Sequence, residues 1–195
     1  MRKKMGMGIV LGACAAAMAV FLALAVPATA ETGVSDKEIV LGMSSALSGP
    51  AASLGTDLRR GAMAYFEKIN ASGGVNGRRI RLIAYDDGYE PRDTVENTKK
   101  LIETDKVFAL FGYVGTPTAK AVLPMINASK IIFFGPFTGA EFLRTPVNRY
   151  IFNVRSSYFD EAEAQVAYLT EKRGVKRIGM FIQDDAYGLA VKGGI

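Results

Sequence analysis

One stretch constrains the fold more than any other: Val107 to Phe142 holds a complete strand, turn, helix, strand, turn unit. Val107 to Phe111 is an apolar run that ends at Gly112, and Ile131 to Phe134 is a second one that ends at Gly135-Pro136. Both are too short for helices and show no alternation, the mark of strands covered on both faces. Between them Thr118 to Ala128 carries Ala119, Val122, Leu123 and Ile126 at three- and four-residue spacing, a single apolar stripe. Two such strands joined through a helix form a βαβ crossover, which places the chain in the α/β class with a parallel sheet.

Open α/β sheets bind ligands at the carboxyl ends of their strands, where the turns splay apart and helix N-termini present N–H groups. In this unit those turns are Tyr113-Val114-Gly115-Thr116 and Phe137-Thr138-Gly139-Ala140. Each combines glycine, a threonine hydroxyl and an aromatic ring, a set that suits an anionic or zwitterionic small molecule. The same residues serve equally well to close tight turns, cap helices and pack on the sheet.

The rest of the chain repeats the pattern. Lys37 to Leu47 reads as the first strand, about Thr56 to Asn70 as a helix with Leu58, Ala62, Phe66 and Ile69 inward, and Arg79 to Tyr85 as the second strand. Asp93-Thr94-Val95-Glu96 fits a capping box for the next helix. Beyond the central unit, Tyr150 to Arg155 reads as a short strand and Glu161 and Glu163 mark an acidic helix start. Lys176 to Phe181 reads as one more strand, closed by Gln183 to Gly188.

Met1 to Ala30 has the three parts of a secretory signal peptide: Arg2-Lys3-Lys4, an apolar run, and Ala28-Thr29-Ala30. Leu11-Gly12-Ala13-Cys14 is a weaker match to a lipoprotein site, since cutting there would leave an apolar segment where a polar tether is expected. Three of the 24 basic residues lie in this leader, so 21 remain against 19 acidic ones, a net charge of +2. No basic run is left to suggest nucleic acid.

After Ala30 the chain has neither cysteine nor histidine. Disulfides, thiol nucleophiles, histidine triads and His or Cys metal sites are excluded there. Asp86-Asp87 could hold magnesium, but the third strand ends in Phe111-Gly112-Tyr113 without the aspartate that phosphoryl chemistry would need, and two solvated acids opening a loop suffice. P-loop and G-x-S-x-G motifs are missing. Asn70-Ala71-Ser72 and Asn127-Ala128-Ser129 match the glycosylation pattern at a length that chance supplies.

The order Leu47-Ser48-Gly49-Pro50, Gly61-Ala62, Ile69 to Gly77, Asp86-Asp87, Gly112 to Thr116, Gly135 to Ala140 and Asp185-Ala186-Tyr187-Gly188 resembles the type I periplasmic solute-binding proteins. Within them it is similar to the leucine/isoleucine/valine-binding branch that feeds branched-chain amino-acid ABC importers. The resemblance implies a Rossmann-like, doubly wound parallel sheet in each of two lobes, with ligand held in the cleft as the hinge closes. It implies a signal peptide at 1–30, lobe 1 at 31–149, a hinge crossing at 150–155 and the beginning of lobe 2 at 156–195. Against that family the chain is expected to be truncated, without most of lobe 2 and the return segment of lobe 1.

By the same resemblance Tyr113, Gly115 and Thr116 would hold a ligand carboxylate, and Phe137 and Thr138 would meet its ammonium and carboxylate. Tyr158 and Tyr187 would close from lobe 2, while Leu47, Ser48 and Leu54 shape the rim. Tyr113 to Pro117 and the bulky Phe137 depart from the serine-rich turn and small residue common in amino-acid binders, which admits an aromatic acid, an amide or another carboxylate. The implied function is a periplasmic, non-catalytic binding component for a small amino acid or similar carboxylate, partnered by an inner-membrane ABC permease and needing no cofactor. A ligand-sensing receptor or regulator on the same fold is the alternative, and a flavodoxin-like enzyme is disfavoured by the missing nucleophile motifs.

Overall fold

The computed structural model describes residues 31–195. The expected signal peptide at residues 1–30 and Cys14 lie outside the described residues. Five strands, β1 (Glu38–Ser45), β2 (Arg79–Asp86), β3 (Ala109–Phe111), β4 (Ile132–Phe134) and β5 (Ile151–Phe152), form one sheet in the order β2-β1-β3-β4-β5. All neighbours run parallel. Helices α1 (Ala52–Ala71), α2 (Pro91–Glu103) and α3 (Thr116–Ser129) connect the first four strands, and α4 (Tyr158–Ala167) and α5 (Ala186–Lys192) follow β5. This is the parallel sheet that the βαβ unit predicted, in the doubly wound arrangement that the resemblance implied. Its strand order reverses between β1 and β3, the switch point where such sheets open a crevice.

Side-chain alternation sorts the helices onto the two faces. A Cβ on Gly42 would collide with Leu101 of α2 at 2.9 Å, so that side of β1 faces α2. Met43, one residue on, reaches the other face, where it approaches Gly112 beside Leu58 of α1. The main core lies on the α2 and α3 side, where Leu101, Val107, Leu110, Val122, Ile126 and Phe133 are buried. On the α1 side, Phe66 meets Phe111 at 5.4 Å, and Phe111, Phe134 and Phe152 stack in series across the strands.

Asn70 ties α1 to the outer edge of the sheet. Its side-chain amide donates to the Ile80 carbonyl at 2.8 Å and accepts from the Ile80 N–H at 2.7 Å. The residue that matched a glycosylation acceptor is therefore a structural clamp.

Several expected boundaries move. α1 begins at Ala52 rather than about Thr56, and α3 at Thr116 rather than Thr118. Asp93 does not cap α2, because Pro91 opens that helix two residues earlier and leaves Glu90 at the cap position without a side-chain bond. Lys176 to Phe181 forms no strand. A strand needs a partner to satisfy its backbone, and among the described residues none pairs with this segment. Among the described residues no helix is long and apolar enough to cross a membrane.

Candidate ligand-binding cleft

A cleft of about 590 Å³ opens at the carboxyl ends of the strands, within the roughly 300–1,000 Å³ range of small-molecule sites. Every strand contributes to it. The loop after β1 brings Pro50, Ala51 and Leu54; that after β2 brings Gly88, Tyr89 and Glu90; those after β3 and β4 bring Val114, Gly115 and Phe137. The chain beyond β5 closes it with Arg155, Tyr158, Gln183 and Tyr187. Among the described residues, no cluster of three or more His, Cys, Asp or Glu could hold a metal ion.

The two aspartates after β2 divide the work of shaping these loops. Asp86 accepts from the N–H groups of Leu47, Ser48 and Gly88 at 2.8, 3.1 and 2.9 Å. Burial alone would raise its carboxyl, but the Ser48 hydroxyl and these N–H donors outweigh it and hold it below its ordinary value. Asp87 is not solvated, as expected from sequence, but buried at 2% exposure. It accepts from the Ser44 hydroxyl at 2.7 Å, the Thr94 hydroxyl at 3.1 Å and the Tyr89 N–H at 3.0 Å. Burial dominates those bonds and pushes its carboxyl up.

Asp87 thereby fixes Tyr89, a non-glycine residue in the left-handed region at φ 73°. The Tyr89 ring lies over Gly115, where an added Cβ would stand 2.7 Å from it. Burial, then Asp185 and Tyr158 nearby, push this phenol up to about 12, so it stays protonated at neutral pH.

Arg155 supplies the cleft's cation. Its guanidinium gives Nε and Nη2 to the Glu161 carboxylate at 3.0 and 2.7 Å, a bidentate pair. It also lies over the rings of Phe137 and Tyr158, at 5.6 and 5.0 Å. Arg144 steadies the same segment by donating to the carbonyls of Ala140 and Ser156 at 3.2 and 3.1 Å. Tyr158 packs edge-on against Tyr187 at 5.5 Å.

The structure brings Gly115, Phe137, Tyr158, Tyr187 and Leu54 together on the cleft wall. The side chains of Tyr113, Thr116 and Thr138 are buried and not among the cleft's lining residues. Tyr113 is fully buried with its hydroxyl 2.9 Å from that of Thr98, and Thr116 and Thr138 bond each other at 2.6 Å beneath the surface. Leu47 and Ser48 are not on the wall; Asp86 holds their backbone behind it. Sequence reasoning missed Tyr89, Glu90, Arg155 and Gln183. The rule that picked Tyr113 and Phe137, an aromatic residue just past a strand's carboxyl end, applies equally to Tyr89.

A family model described as "Periplasmic binding protein" matches residues 38–195. The leucine-, isoleucine-, valine-, threonine- and alanine-binding protein of Pseudomonas aeruginosa is 25% identical over 170 residues, covering 86% of this chain and 45% of that one. Among solved structures, a possible leucine/isoleucine/valine-binding protein from Rhodopirellula baltica SH 1 aligns with a TM-score of 0.78 at 41% identity, over 86% of this chain and 44% of that one. A fatty acid ABC transporter substrate-binding protein from Thermomonospora curvata aligns with a TM-score of 0.76 at 28% identity, over 85% and 42% of the two chains. The chain thus spans less than half the length of these relatives. By sheet topology and by the extent of the match, it belongs to the type I periplasmic binding proteins, in the family of the leucine/isoleucine/valine-binding proteins.

Proposed function

We propose that this chain carries the cleft wall of an extracytoplasmic solute-binding protein that captures a small amino acid, or a related carboxylate or amide, and presents it to an inner-membrane ABC permease. Residues 31–149 act as lobe 1, 150–155 as the hinge crossing and 156–195 as the start of lobe 2. The observation that carries this is the position of the cleft: it is of ligand size, lies at the carboxyl ends of the strands, and faces Tyr158, Gln183 and Tyr187 from beyond the crossing. Periplasmic location fits both the family and the leader-like residues 1–30.

The solute-binding function needs no catalytic group, and the relatives are named as binding proteins rather than enzymes. A thermal-shift screen of the completed two-lobe protein against amino acids, aromatic acids and small amides tests the proposal, because a ligand that binds only the folded state raises the melting temperature. A shift without turnover of the ligand is the expected result. Turnover, or no shift with any compound, overturns it.

A further inference from the structure

We propose that the cleft selects a planar aromatic carboxylate, of the benzoate type, over an aliphatic amino acid; this rests on the solute-binding reading and narrows it. Amino-acid head groups are held by small hydroxyls and helix N–H groups, and here the hydroxyls are already engaged. Thr116 and Thr138 are buried and bonded to each other at 2.6 Å, and the Tyr113 hydroxyl meets Thr98. The Tyr89 ring lies against Gly115, just before the start of α3.

What the wall offers instead is aromatic. Tyr89, Phe137, Tyr158 and Tyr187 all line it. Rings favour another ring in stacked or edge-on contact, which an aliphatic side chain cannot return. Charge follows the same logic. Glu161 occupies Nε and Nη2 of Arg155, which leaves Nη1 with no partner among the described residues. A carboxylate oxygen can accept from that nitrogen while Phe137 and Tyr158 keep the guanidinium in place. Glu90 is the one acidic side chain on the wall, and rings also attract an ammonium, so leucine belongs in the test.

The completed two-lobe protein would be titrated with benzoate, cyclohexanecarboxylate and leucine. The readout is tyrosine fluorescence, which no tryptophan masks in this sequence, together with the NMR shifts of the tyrosine rings. Cyclohexanecarboxylate has the charge and nearly the size of benzoate but no π face. Benzoate is expected to bind about tenfold more tightly than either, the ratio that one or two aromatic contacts supply. Phe137→Leu and Tyr187→Leu, both at partly exposed positions, should erase the preference over cyclohexanecarboxylate. Arg155→Gln should weaken both acids alike. If cyclohexanecarboxylate or leucine binds as tightly as benzoate, this inference falls and the solute-binding reading stands. If none of the three binds, this inference falls, and the wider thermal-shift screen decides the solute-binding reading.

Discussion

Gly115 is the residue on which the cleft's geometry turns. It sits at φ 115°, and a Cβ there would stand 2.7 Å from both the Tyr89 ring and the Thr118 hydroxyl. Gly115→Ala should therefore destabilise the fold by about 1–3 kcal/mol, the cost of one residue forced into an unfavourable backbone region. Urea unfolding measures it, and an unchanged midpoint would show that Tyr89 yields freely. At this scale the sequence was informative about where and not about which way. The rule of strand carboxyl ends located Gly115 and Phe137, yet Tyr113 and the two threonines lie in the same turns and face inward. An aromatic residue beside a glycine looks the same in sequence whether its ring enters the core or the cleft. Only the alternation through Phe111, Gly112 and Tyr113, with Gly112 at φ 64° altering the phase, decides it.

Among the elements, α4 has the best-defined start. The Ser157 hydroxyl accepts from the Asp160 N–H at 2.9 Å, while Asp160 accepts from the Ser157 N–H at 3.3 Å, a reciprocal cap. Ser157→Ala should cost about 1 kcal/mol. Because Tyr158 is the first residue of that helix, the same change should also alter the Tyr158 ring resonance in NMR spectra, and loss of stability without that change would separate the cap from the cleft. The sequence signalled an acidic helix start here but placed it at Glu161 and Glu163, past the true cap. The opposite error occurred at α2, where Asp93-Thr94-Val95-Glu96 matched a capping box that Pro91 pre-empts. Short local motifs compete with their neighbours for the same helix end, and the backbone restriction of proline wins over a side-chain bond.

For the molecule as a whole, the parallel sheet and its helices were legible because burial on both faces leaves continuous apolar runs in the sequence. Lys176 to Phe181 carries a similar run and is not a strand, since pairing is a property of neighbours and not of the segment. Global stability should depend on pH through groups on both sides of the cleft. Glu161 is held below its ordinary 4.5, first by its bond to Arg155 and also by the charge there. Its contribution is complete above that value and is lost as pH falls through the folded one. Asp87, raised by burial from 3.8, works in the other direction and favours the folded state only while protonated. The stability gap between the native protein and Glu161→Gln should therefore be widest near neutral pH and shrink on acidification below 4.5; a gap constant across that range would mean the pair carries no linked proton. The Asn70 clamp has a different consequence, for behaviour in a crowded solution. β2 ends the sheet, and its outer edge is where a foreign strand would attach and begin aggregation. Asn70 already occupies the Ile80 N–H and carbonyl on that edge, and exposed Arg79 and Arg81 flank them, so the first rung such a strand would need is taken and its approach is guarded by charge.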